Sequence, residues 1–255
     1  SDTINAGFKT SAYYWRYGFI DNDVVNYENT WASFGLASDT ALRIAVDLQL
    51  GKVSKINAAT GVVLGTDTLI GVDRVYGTDA NDTFKGRDFW DFEEFRTFGG
   101  NDGVDGRGGY DGVDYSYFTV GSSIRVNLAA GTVSKGPGLF TDTLRQVEII
   151  TGTNQNDVYV ATGFGGASLN RNSYGEDFNL FSPRAGNDTV SGGDGTAINY
   201  NGVGGKISVN LGLLTSATAV AQIRTAYVDD TTTTAGFAAG TLTASGVNSV
   251  RGGAY

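Results

Sequence analysis

Between Gly99 and Tyr115 the chain reads GGNDGVDGRGGYDGVDY, in which Gly99–Val104 recurs nine residues later as Gly108–Val113 with Asn101 replaced by Tyr110. Four groups return at the same offset: Gly99 with Gly108, Gly100 with Gly109, Asp102 with Asp111, and Val104 with Val113. Few conformations accommodate that combination. Glycine pairs adopt positive φ without steric cost, so the backbone reverses sharply and its carbonyls can converge on one spot. Aspartate contributes a short, hard oxygen ligand, and a valine two residues later in an extended segment sends one side chain to a core. Such a turn-and-strand unit cannot bury its apolar side alone and must stack on further copies.

Related half-turns occur as GTDANDTF from Gly77, GTNQNDVY from Gly152 and AGNDTVSGGDG from Ala185, with a weaker DND at Asp21–Asp23 followed by Val25 and Tyr27. Calcium takes six to eight oxygens at about 2.3–2.6 Å, mixing carboxylates with backbone carbonyls, and glycine-rich turns supply the second kind in quantity. These residues resemble the hemolysin-type repeat of the RTX proteins, GGxGxDxUx with U a large apolar residue. The copy at Asp102 has Thr97 and Phe98 in place of the first glycine pair, and the copy at Asp111 has only Arg107 in place of a glycine.

The resemblance implies an all-β chain, a parallel β-roll or β-solenoid with calcium-binding glycine–aspartate turns and inserted loops. It implies Ca2+ as structural cofactor, lying between every second turn, which pairs Asp82 with Asp102 and Asp91 with Asp111. Asp82, Asp102 and Asp111 are the first candidate ligands, then Asp91, Asp157, Asp188 and Asp23, with the carbonyls of Gly99, Gly100, Gly108 and Gly109 completing the shells. It further implies export by a bacterial type I system and folding outside the cell.

A second period of roughly eighty residues encloses the first. IAVDLQLGKV from Ile44, IRVNLAAGTV from Ile124 and ISVNLGLLTS from Ile207 share alternating apolar positions, which argues for a strand with one buried face. Downstream, DTLIGVDRVYGTDAND from Asp67 matches DTLRQVEIITGTNQND from Asp142 and, more loosely, GTLTASGVNSVRGGAY from Gly240. Upstream lie Val25 with Tyr27, Val113 with Tyr115, and Ile198 with Tyr200. The expected organisation is an aromatic-rich N-terminal segment or cap over 1–20, one unit over 21–110, a second over 111–197 and a truncated third over 198–255. The excursions between matched segments are expected to be loops.

Composition narrows the chemistry. The chain has 255 residues, 38 glycines, two prolines, no cysteine and no histidine, with a formal charge of −9. Disulfides, zinc thiolates and imidazole-dependent catalysis are therefore outside the reach of this segment. The acidity argues against a nucleic-acid partner, and no apolar run is long enough for a membrane span. Unscreened, the turn aspartates would repel one another, so cation binding would become part of the folding free energy. Asp91, Glu93 and Glu94 could serve as a glycosidase pair, but neighbours in a strand point to opposite faces. The aromatic clusters SAYYWRYGF from Ser11 and FWDFEEFRTF from Phe89 read as core and edge cover, with a glycan or partner platform as the sharper reading.

The function expected is a non-enzymatic, calcium-stabilised extracellular or cell-surface segment of a bacterial protein, such as an S-layer component, adhesin or filament. Its partners would be calcium ions, neighbouring repeats of the same polypeptide or self-assembly, and a glycan or cell-surface ligand. The alternative is an accessory β-roll of a secreted enzyme or toxin, possibly polysaccharide-modifying, with catalysis elsewhere.

Overall fold

The computed structural model describes residues 2–6, 23–89, 91–118, 122–164, 177–193, 195–200, 241–247 and 249–251. The Ser11 aromatic cluster and the strand expected from Ile207 lie outside them. Among the described residues the regular elements are β-strands and two short 3-10 turns, Thr30–Phe34 and Asp39–Ala41. The all-β expectation is met.

The chain forms two compact units. The first comprises the described residues up to Asp114 together with Phe140–Val147; the second comprises Tyr115–Leu139 and the described residues from Glu148 onward.

In the first unit one sheet runs, in spatial order, Thr3–Asn5, Val63–Ile70, Lys52–Asn57, Leu42–Asp47, Thr83–Lys85, Gly103–Asp105 and Phe140–Arg145. The other runs Val24–Asn26, Arg74–Tyr76, Glu94–Arg96 and Gly112–Asp114. From Arg74 to Asp114 consecutive strands alternate between the two sheets, and each pairs in parallel with the strand two further along the chain. Three-residue strands are short because each carries a single inward side chain, flanked by two outward ones. Register stacks Val25, Val75, Phe95 and Val113 in one column, and Phe84, Val104 and Leu144 in the other. All seven are buried, and the Phe84 and Phe95 rings meet with centroids 5.3 Å apart.

The second unit repeats the plan. One sheet orders Thr132–Lys135, Ile124–Asn127, Val158–Val160, Asn187–Ser191 and Thr241–Ser245; the other orders Ile149–Thr151, Asn179–Ser182, Thr196–Asn199 and Ser249–Arg251. Tyr159 and Phe181 stack at 4.8 Å in its core.

Alternation expected at Ile44, Val46 and Leu48, and at Ile124, Val126 and Leu128, is observed, with all six side chains buried. The tyrosines Tyr27, Tyr115 and Tyr200 and their aliphatic partners are buried as well. The excursions differ from the loops expected. After a reversal at Gly51, where φ is +60°, Lys52–Asn57 returns antiparallel to Leu42–Asp47 and then pairs antiparallel with Val63–Ile70. Gly131, at φ +63°, makes the matching reversal before Thr132–Lys135. Val53, Ile56 and Val133 supply the apolar residues that turn these excursions into strands with a buried side.

The third copy is also set differently from the sequence match. Asp188 is registered with Leu242 and Val190 with Ala244, so Leu242, rather than Gly240, takes the place of Asp67 and Asp142. A shared left-handed residue fixes this alignment: Gly71 (φ +70°), Gln146 (φ +52°) and Gly246 (φ +64°).

Candidate functional site: two columns of carboxylates

An acid stands two places before the inward apolar side chain at Asp82, Asp102, Asp111, Asp157 and Asp188. It stands where the chain leaves a turn and enters a strand, and its N–H has no ladder partner of the usual kind. The next turn solves this with a side chain. In the first unit the N–H of Ile44 donates to Asp82 Oδ1 at 2.7 Å, that of Asp82 to Asp102 Oδ1 at 2.7 Å, and that of Asp102 to Asp142 Oδ1 at 3.0 Å. Asp2 donates likewise to Asp67 Oδ1 at 3.0 Å, and in the other sheet Glu93 donates to Asp111 Oδ1 at 2.9 Å. In the second unit Ile124 donates to Asp157 Oδ1 at 2.9 Å and Asp157 to Asp188 Oδ1 at 2.9 Å. A buried N–H left without such an acceptor costs about 1–3 kcal/mol.

Asparagine makes the reciprocal bond one residue earlier. Asn81 Oδ1 accepts from the N–H of Asn101 at 2.9 Å, Asn101 Oδ1 from Thr141 at 2.7 Å, and Asn156 Oδ1 from Asn187 at 2.8 Å. Each Asn-Asp dipeptide thus fastens its turn in both directions, aspartate backward and asparagine forward. A threonine closes the turn from within: Thr78 N–H reaches Asp82 Oδ2 at 2.6 Å, and Thr153 N–H reaches Asp157 Oδ2 at 2.6 Å.

Burial dominates the electrostatics. It pushes the Asp82 carboxyl up to about 7 even though the Ile44 and Thr78 N–H groups pull the other way. It pushes Asp188 up to about 8, with the Asp157 N–H opposing and the Asp157 carboxylate reinforcing. Asp157 is raised for the same reason. Desolvation outweighs the hydrogen bonds because Asp82, Asp157 and Asp188 are all buried away from water.

In the first unit the second column begins at Asp23, half-buried, and continues through Asp73, Glu93 and Asp111, all buried. Its cation is Arg87. Nη1 lies 2.7 Å from Glu93 Oε1 and 3.3 Å from Asp73 Oδ1, while Nη2 donates to the Val72 carbonyl at 2.6 Å. Burial raises Glu93 despite that guanidinium. Glu94, on the outward side of the same strand, pairs instead with Arg74 at 3.4 Å. The two glutamates therefore point to opposite faces, as expected.

A separate buried group lies in the same unit. Lys55 Nζ sits 2.7 Å from Asp67 Oδ1, and Tyr27 donates to Asp67 Oδ2 at 2.9 Å. Burial alone would raise Asp67, but Lys55, the Asp2 N–H and the Tyr27 hydroxyl together hold it below the usual range. Burial and the Asp67 charge push the Tyr27 phenol up.

The expected ligands fall into this frame unevenly. Asp82 and Asp102 are brought together, as are Asp157 and Asp188. Asp111 receives Glu93 rather than Asp91, and Asp91 lies two residues ahead of the column with its carbonyl against Gly109. The glycine turns stack closely: an added Cβ on Gly99 would meet Asp79 O at 3.0 Å, and one on Gly108 would meet Asp88 and Phe89 O at 3.2 Å. On Gly100 it would run into the Ala80 carbonyl. Column acids that were not among the expected ligands are Asp67, Asp73, Glu93, Asp142 and Glu148. The spacing acid-x-apolar, shared by Asp67 with Leu69, Asp73 with Val75, Glu93 with Phe95, Asp142 with Leu144 and Glu148 with Ile150, marks them.

Hard carboxylate and carbonyl oxygens suit calcium by their chemistry. Asp82 and Asp157, however, each have both oxygens engaged by N–H or O–H donors, and among the described residues no three acidic side chains converge as a metal cage. An ion here would draw on turn carbonyls and exchange with those hydrogen bonds. The described residues include no helix long and apolar enough to cross a membrane. No family model matches the chain, and no curated protein matches it.

Proposed function

We propose that this chain is a non-catalytic structural segment of a bacterial extracellular surface protein, a parallel β-roll whose stacked turns calcium stiffens. The roll is supported by the alternation of consecutive strands between two parallel-paired sheets. One observation carries the structural role: the column acids are spent on backbone N–H groups of the neighbouring turn, in both units, at 2.7–3.0 Å. Carboxylates so used hold the register of the stack. The placement outside the cell and the choice among S-layer, adhesin and filament rest on the resemblance of the Gly99–Val113 turns to hemolysin-type repeats.

Calcium would be held by carboxylates of Asp82, Asp102, Asp111, Asp157 and Asp188 with carbonyls of the glycine turns, and would relieve repulsion between stacked acids. Thermal unfolding followed by circular dichroism, in millimolar calcium and in excess chelator, tests this directly. The expected result is a melting temperature several degrees higher with calcium. Identical transitions in both conditions would remove the ion from the account and leave the hydrogen-bonded columns as the sole source of register.

A further inference from the structure

We propose that the folded chain joins the side chains of Lys55 and Asp67 as an amide, a covalent tie between the neighbouring strands Lys52–Asn57 and Val63–Ile70. The tie goes beyond the structural role given above and depends on no ion.

A lysine on the buried side of a sheet is costly unless its charge is met. Alternation from Val53 brings Lys55 inward, and a register shift between Lys55 and Ile56 keeps Ile56 inward as well. Across the ladder Lys55 is registered with Gly65. A Cβ added to Gly65 would stand 3.4 Å from Lys55 Cε and 3.9 Å from the Phe34 ring. The bare glycine thus gives the lysine stem a bed to cross, and Nζ lies 5.5 Å from the centroid of the Phe34 ring. That path delivers Nζ to Asp67, the next residue on the same face as Gly65. Lys55 keeps 7% of its surface exposed, Tyr27 4% and Asp67 3%, so these groups meet nearly without water.

The three side chains supply a nucleophile, an electrophile and a fixed donor. Nζ lies 2.7 Å from Asp67 Oδ1, which also accepts the Asp2 N–H at 3.0 Å, and Oδ2 accepts the Tyr27 hydroxyl at 2.9 Å. A proton passed from Nζ to Oδ1 along the short contact turns ammonium and carboxylate into amine and carboxylic acid. The amine lone pair then bonds to Cγ, and negative charge collects on Oδ2, where the Tyr27 hydroxyl already donates. A second proton moves from the nitrogen to Oδ1, the Cγ–Oδ1 bond breaks, water leaves, and the Cγ–Oδ2 double bond re-forms. Ammonium and carboxylate become amide and water, with no other reactant, and Tyr27 keeps its proton. Well-oriented groups held in contact react as though at about 10⁵–10⁸ M. The product also replaces two buried charges, expensive to hold out of water, with a neutral group.

Mass spectrometry of the full chain reads the bond directly. The wild-type protein is expected to be lighter than its sequence by one water. Trypsin is expected to leave Val53–Arg74 as a single peptide, uncut after Lys55 and one water lighter than the linear segment. Lys55→Arg keeps a cation in place and is expected to show the full mass, cleavage at residue 55 and an unchanged circular dichroism spectrum. Tyr27→Phe removes the donor to Oδ2, which is expected to slow the reaction by about 10²–10³-fold, so that the protein is isolated largely unlinked. Wild-type protein at full mass and cut after Lys55 overturns the proposal, as does a loss of water that persists in Lys55→Arg. Complete linkage in Tyr27→Phe overturns the role given to the hydroxyl. Identical melting with and without calcium would leave all these readings untouched.

Discussion

At the scale of single residues the molecule turns on where an aspartate spends its oxygens. Asp82 accepts two backbone N–H groups and the Thr78 hydroxyl while nearly all of its surface is out of water. Asp82→Ala leaves the Ile44 and Thr78 donors buried and unmet, and is expected to lower unfolding free energy by about 3 kcal/mol in urea titrations. Asp82→Asn retains one acceptor and loses the desolvated charge, but turns its NH2 towards one of the two N–H donors, so it is expected to cost about half as much as the alanine variant at pH 7.5. A large and equal loss in both variants would mean that the charge, not the hydrogen bonds, holds the turn. The aspartates themselves were legible from the nine-residue echo. Their duty was not, because a glycine turn with an aspartate reads as a chelating loop until the register shows which N–H lies beneath each carboxylate. Gln146 illustrates the limit from the other side: its φ of +52° repeats that of Gly71, yet no glutamine advertises a left-handed turn.

Elements are short here, and their energetics are collective. Strands of three residues gain their place from the apolar column they extend and from the clips at either end, rather than from propensity. The hairpin excursions escaped the sequence reading for the same reason: with one or two inward residues apiece, their alternation is too brief to distinguish from a loop. Across three strand starts, Asp73, Glu93 and Asp111 form a buried acidic run whose neutralising partner, Arg87, comes from a turn with no motif to mark it. Removing one partner of a buried pair commonly costs about 3–5 kcal/mol. Arg87→Met is expected to cost about 3 kcal/mol at pH 7.5, measured by denaturant titration. At pH 5 the loss should be smaller, because Glu93, already raised by burial, takes up a proton once the guanidinium is gone. A loss independent of pH would separate Arg87 from Glu93.

For the whole molecule the raised carboxyls set the direction of its response to pH. A group whose folded value exceeds its unfolded value binds protons more tightly when folded, so its contribution is fully present below the unfolded value and disappears as pH rises through the folded one. Asp82, at about 7, and Asp188, at about 8, therefore each withdraw up to ~1.4 kcal/mol per pH unit between roughly pH 4 and their folded values. In chelator the melting temperature is expected to fall steadily from pH 5 to pH 8.5; a rise across that window would contradict the assignment of desolvated acids. The same window should flatten in calcium, which competes with the proton for those oxygens. The general class of fold, all-β with stacked turns, could be read from the glycine and aspartate spacing. Division into two compact units could not, since the segment Phe140–Val147 joins the first unit across an excursion that carries its sequence neighbours into the second. The paired fastening at Asn81-Asp82 and Asn101-Asp102 has a last consequence, for length. The stretch between these two dipeptides is one full circuit, and its two cut ends carry identical fittings. Deleting residues 82–101 would bring Asn81 next to Asp102, leaving Asn81 to accept from Thr141 and Asp102 to accept from Ile44. The shortened chain is expected to melt in one cooperative transition, whereas a deletion offset by five residues is expected to melt broadly. The Asn-Asp pair is thus a splice point, at which such a protein can gain or lose whole circuits without disturbing its neighbours.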